Sequence, residues 1–166
     1  MDAKPLLLQL IAFKAWANRD LFPLVMTLSA ETQHQERHNA TRLLNHIYVV
    51  DKIFQGNLQG LAHGYTGLNT PETPDLADLF AAQQAADQWL SHYVQALSDA
   101  ALAEALDFTF VDGKPGCMSR AEMLLHLLTH GSYHRGAVGR ILFQAGVQPP
   151  PDALTVFTHA KPSLSN

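Results

Sequence analysis

Three histidines carry most of the chemistry legible in this 166-residue chain. His130 and His134 are spaced i, i+4, which on a helix sets two imidazoles on one face about one turn apart. Counting from Leu127 at about 100° per residue, Val138, Ile141 and Ala145 fall within about 40° of one line, with His134 about 20° and His130 about 60° from it. His46 follows Leu43 by three and precedes Val50 by four, so it lies on the apolar side of its own helix. Burying a polar group without a partner costs roughly 2–7 kcal/mol in an apolar setting. No carboxylate shares the stripe of His130, so another histidine or a metal ion is the natural partner. Three nitrogens with a free fourth position match a catalytic zinc, whereas structural sites close with four protein ligands. Cys117 precedes the helix and is expected to sit away from such a centre.

Two neighbouring motifs fail. A zinc-protease helix needs glutamate after its first histidine, and Gly131 stands there. A carboxylate-bridged di-iron site needs paired Glu-x-x-His motifs, and Glu31–His34 is the sole pair, in a polar connection. His126 extends the histidine series by one more turn but drifts to about 100° from the stripe centre, a flanking position beside the ligands, with a ligand role as the alternative. His92 points away from its helix's apolar face. His34, His38, His63 and His159 are expected in solvated loops or the tail.

Four helices must position these groups. The first spans about residues 5–28, with Pro5 in its first turn and Pro23 expected to kink or break it. The second runs from about Ala40 to Leu61 behind an Asn39 N-cap, after a polar connection 29–38. The third starts from Thr73 as N-cap with Pro74 and Asp75, and reaches Leu97. Leu106–Phe110 alternates like a strand before a turn at 112–116, so a short extended excursion is expected there. The fourth opens on the capping box Ser119–Glu122 and closes at Gly146. Pro149 to Pro151 then predict an extended tail from about residue 147. Helices of this length make an all-α four-helix bundle the economical packing, with up-down order as the default, in one domain over residues 1–166.

Composition narrows the function classes. Hydrophobic residues make up 47% and charged residues 16%, enough apolar material for a core and incompatible with a disordered chain. The formal charge of −4, without a basic block, argues against nucleic acid or an anionic membrane as partner. One cysteine fits a reducing compartment, and the Leu6–Phe13 run is too short to span a bilayer, so a cytoplasmic protein is expected.

Four stretches together resemble the DinB-like superfamily of metal-binding four-helix bundles, unrelated to the DNA polymerase sharing that name. They are Phe13–Arg19 in the first helix, Leu43–His46 through Asp51–Phe54 in the second, His130–Gly136 in the fourth, and Gly146–Val147 through Pro151–Asp152 after it. The resemblance spans about residues 5–157. It implies a divalent metal, zinc or nickel first and iron or manganese as alternatives, held by His46, His130 and His134. Characterised members of the superfamily are thiol-dependent transferases or isomerases working with bacillithiol, mycothiol or glutathione. Two departures stand out: Ala137 where the family often has Gln, and Thr129 where it often has Asn.

The leading expectation is therefore a metal-dependent thiol S-transferase acting on a small thiol and an electrophile, with a homodimer among the expectations. A cation stabilises a thiolate near neutral pH. Each ligand histidine is expected to donate its other ring N–H to an acceptor. Asp51, His126 and Arg135 are candidates for the surroundings of the ligands, or, for Asp51 and Arg135, for gripping a substrate carboxylate. The plainer expectation for Asp51 and Arg135 is a partly exposed ion pair, and for Tyr133 and Trp16, packing. Metal-assisted hydrolysis is the second reading, weakened by the lack of an obvious base. A non-catalytic metal-binding stress-response bundle is the third.

Overall fold

A computed structural model describes residues 3–160, so Met1, Asp2 and the last six residues of the expected tail lie outside it. The described residues form α1 (Ala3–Met26), α2 (His34–Gln59), α3 (Leu76–Ala96), α4 (Asp99–Ala103), β1 (Ala105–Thr109), β2 (Pro115–Ser119), α5 (Arg120–Gln144) and α6 (Leu154–Ala160). The fold is an all-α bundle of α1, α2, α3 and α5, with one small hairpin. None of the described helices is long and apolar enough to cross a membrane.

The element ends depart from the sequence reading for local reasons. Pro23 sits inside the last turns of α1 without breaking it, and the helix ends three residues later. Helix α2 begins at His34 rather than Ala40, and Asn39 is not its cap: its side chain accepts from Gln35 inside the helix. The early start is held by Arg37, whose guanidinium donates to the Met26 and Leu28 carbonyls at the end of α1. Gly60, at φ 66°, closes α2 in the left-handed conformation that glycine adopts without a Cβ penalty. Leu61 therefore falls beyond the helix and is 60% exposed, not part of its stripe. The cap of α3 is Asp75, which accepts from the Ala77 and Asp78 amides, rather than Thr73. At the other end of α3, Lys4 donates to the carbonyls of Gln95 and Leu97.

The extended excursion is a hairpin in which β1 and β2 pair antiparallel, from Ala105↔Ser119 to Thr109↔Pro115. The unanticipated one-turn helix α4, capped by Ser98, leads into it. The capping box of α5 forms as expected, with Ser119 accepting from the Glu122 amide and the Glu122 carboxylate accepting from Ser119. The tail is extended only over 147–153. It then turns into α6, where buried Phe157 packs on Phe13 and Trp16 at ring separations of 5.8 and 5.7 Å. Three prolines stop a helix locally but cannot prevent one starting beyond them.

Around the bundle the helices run in the order α1–α3–α2–α5, so chain neighbours α1 and α2 stand across from each other rather than side by side. The apolar interior falls into two clusters. One contains Leu7, Ile11, Phe54, Leu90 and Leu127; the other contains Leu21, Phe22, Leu44, Leu79 and Val138. On α1 and α3, buried polar side chains occupy the positions between the two: Lys14 and Asn18, then Gln83 and Asp87. On α5 that same interval holds His130, Gly131, His134 and Arg135.

Candidate metal centre

The polar interval begins with a buried ion-pair network. Lys14 Nζ donates to Asp51 Oδ2 at 2.6 Å and Asp87 Oδ1 at 2.5 Å. Gln83 donates to both carboxylates, and Asn18 donates to Asp87. Burial alone would discharge Lys14, but the two carboxylates outweigh it and hold its pKa above the ordinary lysine value. Burial raises the Asp51 pKa, only partly offset by Lys14. Asp51 and Arg135 are thus not the partly exposed pair expected. Both are buried, and Arg135 makes a two-point contact with Asp152, Nε to Oδ2 at 2.7 Å and Nη2 to Oδ1 at 3.2 Å.

Beside this network the three predicted histidines come together. Their candidate ligand nitrogens all lie within 4.8 Å of one another, and all three residues are half-buried. His46 Nε2 and His130 Nε2 are 3.0 Å apart, and the His134 ring stands 4.6 Å from His46 and 4.5 Å from His130, centroid to centroid. Two nitrogens bound to one tetrahedral ion at about 2.1 Å stand about 3.4 Å apart, so the spacing suits a shared cation.

The loop after α2 settles which nitrogen of His46 faces the centre. Its Nδ1 lies 2.6 Å from the Leu68 carbonyl oxygen, which can only accept, so Nδ1 carries the proton and Nε2 its lone pair. The adjacent residue, Asn45, fixes that loop: its amide donates to the Asn69 side chain and to Thr70 Oγ1, while Asn69 donates back to the Arg42 carbonyl. The expected acceptor is therefore present for His46. It is absent for His130, whose buried Nδ1 has no hydrogen-bond partner among the described residues.

Electrostatics favour neutral rings. Burial, reinforced by His134, His46, His126 and Lys14, pushes the His130 pKa down to about 3. Burial and His46 lower that of His134. Neutral imidazoles are what a divalent ion requires, so the donor set fits the implied metal, with no carboxylate or thiolate in it. Three imidazoles could hold a zinc, nickel or other divalent ion without specifying which.

The other histidines sort as follows. His126 is stacked 5.4 Å from His130 and stands tilted 4.8 Å from Phe54, flanking the three-histidine group rather than joining it. His34, His38, His92 and His159 are exposed, but His63 is half-buried and its Nδ1 accepts from the Tyr65 amide, contrary to the solvated expectation. Tyr133 is not a packing residue: it is 78% exposed and edge-on to His134 at 5.1 Å. Trp16 does pack, between Phe13 and Phe157. Cys117 lies exposed on β2. Thr129 and Ala137, the two departures, are both exposed on α5.

Sequence reasoning missed Lys14, Gln83, Asp87 and the Leu68 carbonyl. Lys14 and the two α3 residues had a readable signal, because each occupies a core-spaced position of its helix; the carbonyl had none.

The sequence signature of the DinB family matches residues 1–164. Protein DinB of Bacillus subtilis (strain 168) is 26% identical over 160 residues, covering 86% of this chain and 88% of that protein. No solved structure matches. The signature thus runs through all four bundle helices and the tail that Asp152 ties to Arg135, and by it this chain belongs to the DinB family.

Proposed function

We propose that the protein is a divalent-metal-dependent enzyme that transfers a low-molecular-weight thiol to an electrophile. The observation that carries this reading is the convergence of three half-buried imidazoles, one with its lone pair fixed toward the centre by the Leu68 carbonyl. When bound, a divalent ion there would supply the positive charge that keeps a thiol ionised near neutral pH.

The chain's own residues do the rest. His46, His130 and His134 present neutral nitrogens from two helices. The Asn45-stapled loop holds the first ring in place, and the Lys14 network backs α5 from inside the bundle. The thiol proton leaves to solvent, the sulfur bonds to carbon, and the leaving group departs with its bonding pair. Hydrolysis is less well served, because Asp51 and Asp87, the buried carboxylates at this level, are engaged by Lys14 in ion pairs.

The test is a rate assay with monochlorobimane and bacillithiol, mycothiol or glutathione, using protein loaded with Zn²⁺ or Ni²⁺. The expected result is thiol consumption that requires the metal and is lost in His130→Ala. The absence of a metal-dependent rate with all three thiols would overturn the proposal.

A further inference from the structure

The loop that orients His46 also builds one wall of a cavity. Leu68 gives its carbonyl to His46 Nδ1, while its side chain, 53% exposed, joins Thr66, Gly67, Phe110, Val111 and Asp112 around a space of about 450 Å³. The opposite wall, Phe110 at the hairpin tip, is linked to the ligands through a chain of rings. Phe110 meets Phe108 at 4.8 Å, Phe108 meets Phe54 at 5.9 Å, Phe54 meets His126 at 4.8 Å, and His126 stacks on His130. The two walls are thus tied to two different ligands of the same centre. A volume of this order suits a small organic molecule.

The charges nearby decide what kind of molecule. Among the described residues lining the cavity, Asp112 alone is charged, and Lys114 holds its carboxylate at 2.7 Å. The guanidinium of Arg42, at the foot of the same loop, is turned onto the Thr70 and Glu72 carbonyls. Lys14 and Arg135 are buried in ion pairs. A carboxylate or phosphate entering here would lose water and meet the Asp112 carboxylate, with the nearby Lys114 ammonium already paired to it, whereas an apolar ring would be covered by Leu68, Phe110 and Val111.

We infer that this cavity binds a neutral, apolar, ring-sized molecule rather than an anion, and that its occupancy is felt at the histidine centre through the Leu68 carbonyl on His46. The binding site can be tested independently of the proposed transferase reading.

The probes are neutral N-phenyl-1-naphthylamine and its anionic counterpart 8-anilinonaphthalene-1-sulfonate, titrated by fluorescence into the full-length, metal-free protein. The neutral probe should saturate at one site per chain, and Leu68→Ser and Phe110→Ser should each weaken it at least five-fold. Both side chains are substantially exposed, and unchanged circular dichroism and melting will show that the variants fold. The sulfonate should bind at least ten-fold more weakly than the neutral probe. Binding indifferent to both substitutions, or equal affinity for the two probes, would overturn the inference. In Co²⁺-loaded protein, saturation with the neutral probe should shift the visible absorption bands, and Leu68→Ser should abolish that shift. If Co²⁺ loads through the histidines and no shift appears, the link between cavity and centre fails. If Co²⁺ gives no histidine-dependent bands, it is the metal reading that fails, while the fluorescence titration still decides the cavity.

Discussion

Replacing Lys14 by methionine tests the buried layer on which α5 rests. The substitution keeps the length of the stem and removes the ammonium that bridges Asp51 and Asp87 at 2.6 and 2.5 Å. The three side chains are only 2%, 6% and 5% exposed, so water cannot take over the lost interaction. Removing one partner of a buried ion pair costs about 3–5 kcal/mol, because the remaining charge is stranded. Here two carboxylates are stranded facing each other, which favours the upper half of that range. Against a domain stability of about 5–15 kcal/mol, the variant should be strongly destabilised yet measurable in the more stable cases. In urea, with a slope of about 2 kcal/mol per molar, the midpoint should fall by about 2 M. Adding Asp51→Asn and Asp87→Asn to Lys14→Met removes the stranded charges and should recover at least half of the loss. A midpoint within 0.5 M of the parent for Lys14→Met, a shift of about 1 kcal/mol, would refute the reasoning.

Further outcomes follow from other contacts. Asn45→Ala frees the loop that holds the Leu68 carbonyl against His46 and should weaken Zn²⁺ binding by about 10–100-fold in a competition titration with a chromophoric chelator. Asp152→Ala leaves the Arg135 guanidinium buried without its counter-charge; stability should fall by about 3 kcal/mol in urea unfolding, and limited proteolysis should cut earlier within 147–160. Acid should destabilise the metal-free protein partly through His130. Its folded pKa of about 3 lies below the unfolded value near 6.5, so between those limits the unfolded chain binds more protons and stability falls as pH drops through that window. Melting temperatures of the parent and of His130→Asn at pH 7.5 and 5.0 check this: the parent should lose more on acidification, and equal losses would contradict it.

The histidine arithmetic was legible because helical periodicity converts spacing into direction. Counting in steps of 100° places His130 and His134 on one face of their helix, and His46 on the apolar side of its own. The capping box of α5 was equally readable, since it is closed by residues three apart in sequence. The buried polar layer left a subtler trace. On α1 the apolar series Leu7, Ile11, Leu21, Val25 has gaps where Lys14 and Asn18 continue its spacing, and a hydrophobicity scale reads such gaps as surface. Their burial depends on partners from α2 and α3, and on the order in which helices surround the core, which no single helix encodes. Arg37 likewise extends α2 backward by bonding the Met26 and Leu28 carbonyls at and just past the end of α1, a tertiary contact that overrides the weak local propensity of 34–39. Loop geometry was the least accessible: the acceptor for His46 is a backbone oxygen, and every residue has one.

Elemental analysis of protein purified without chelators, set beside His130→Ala and His134→Ala prepared in the same way, bears most directly on the histidine centre. About one equivalent of a divalent metal per chain in the parent, falling below about a tenth in each variant, is the result expected of three nitrogens sharing one ion. Equal metal content in all three proteins would contradict it.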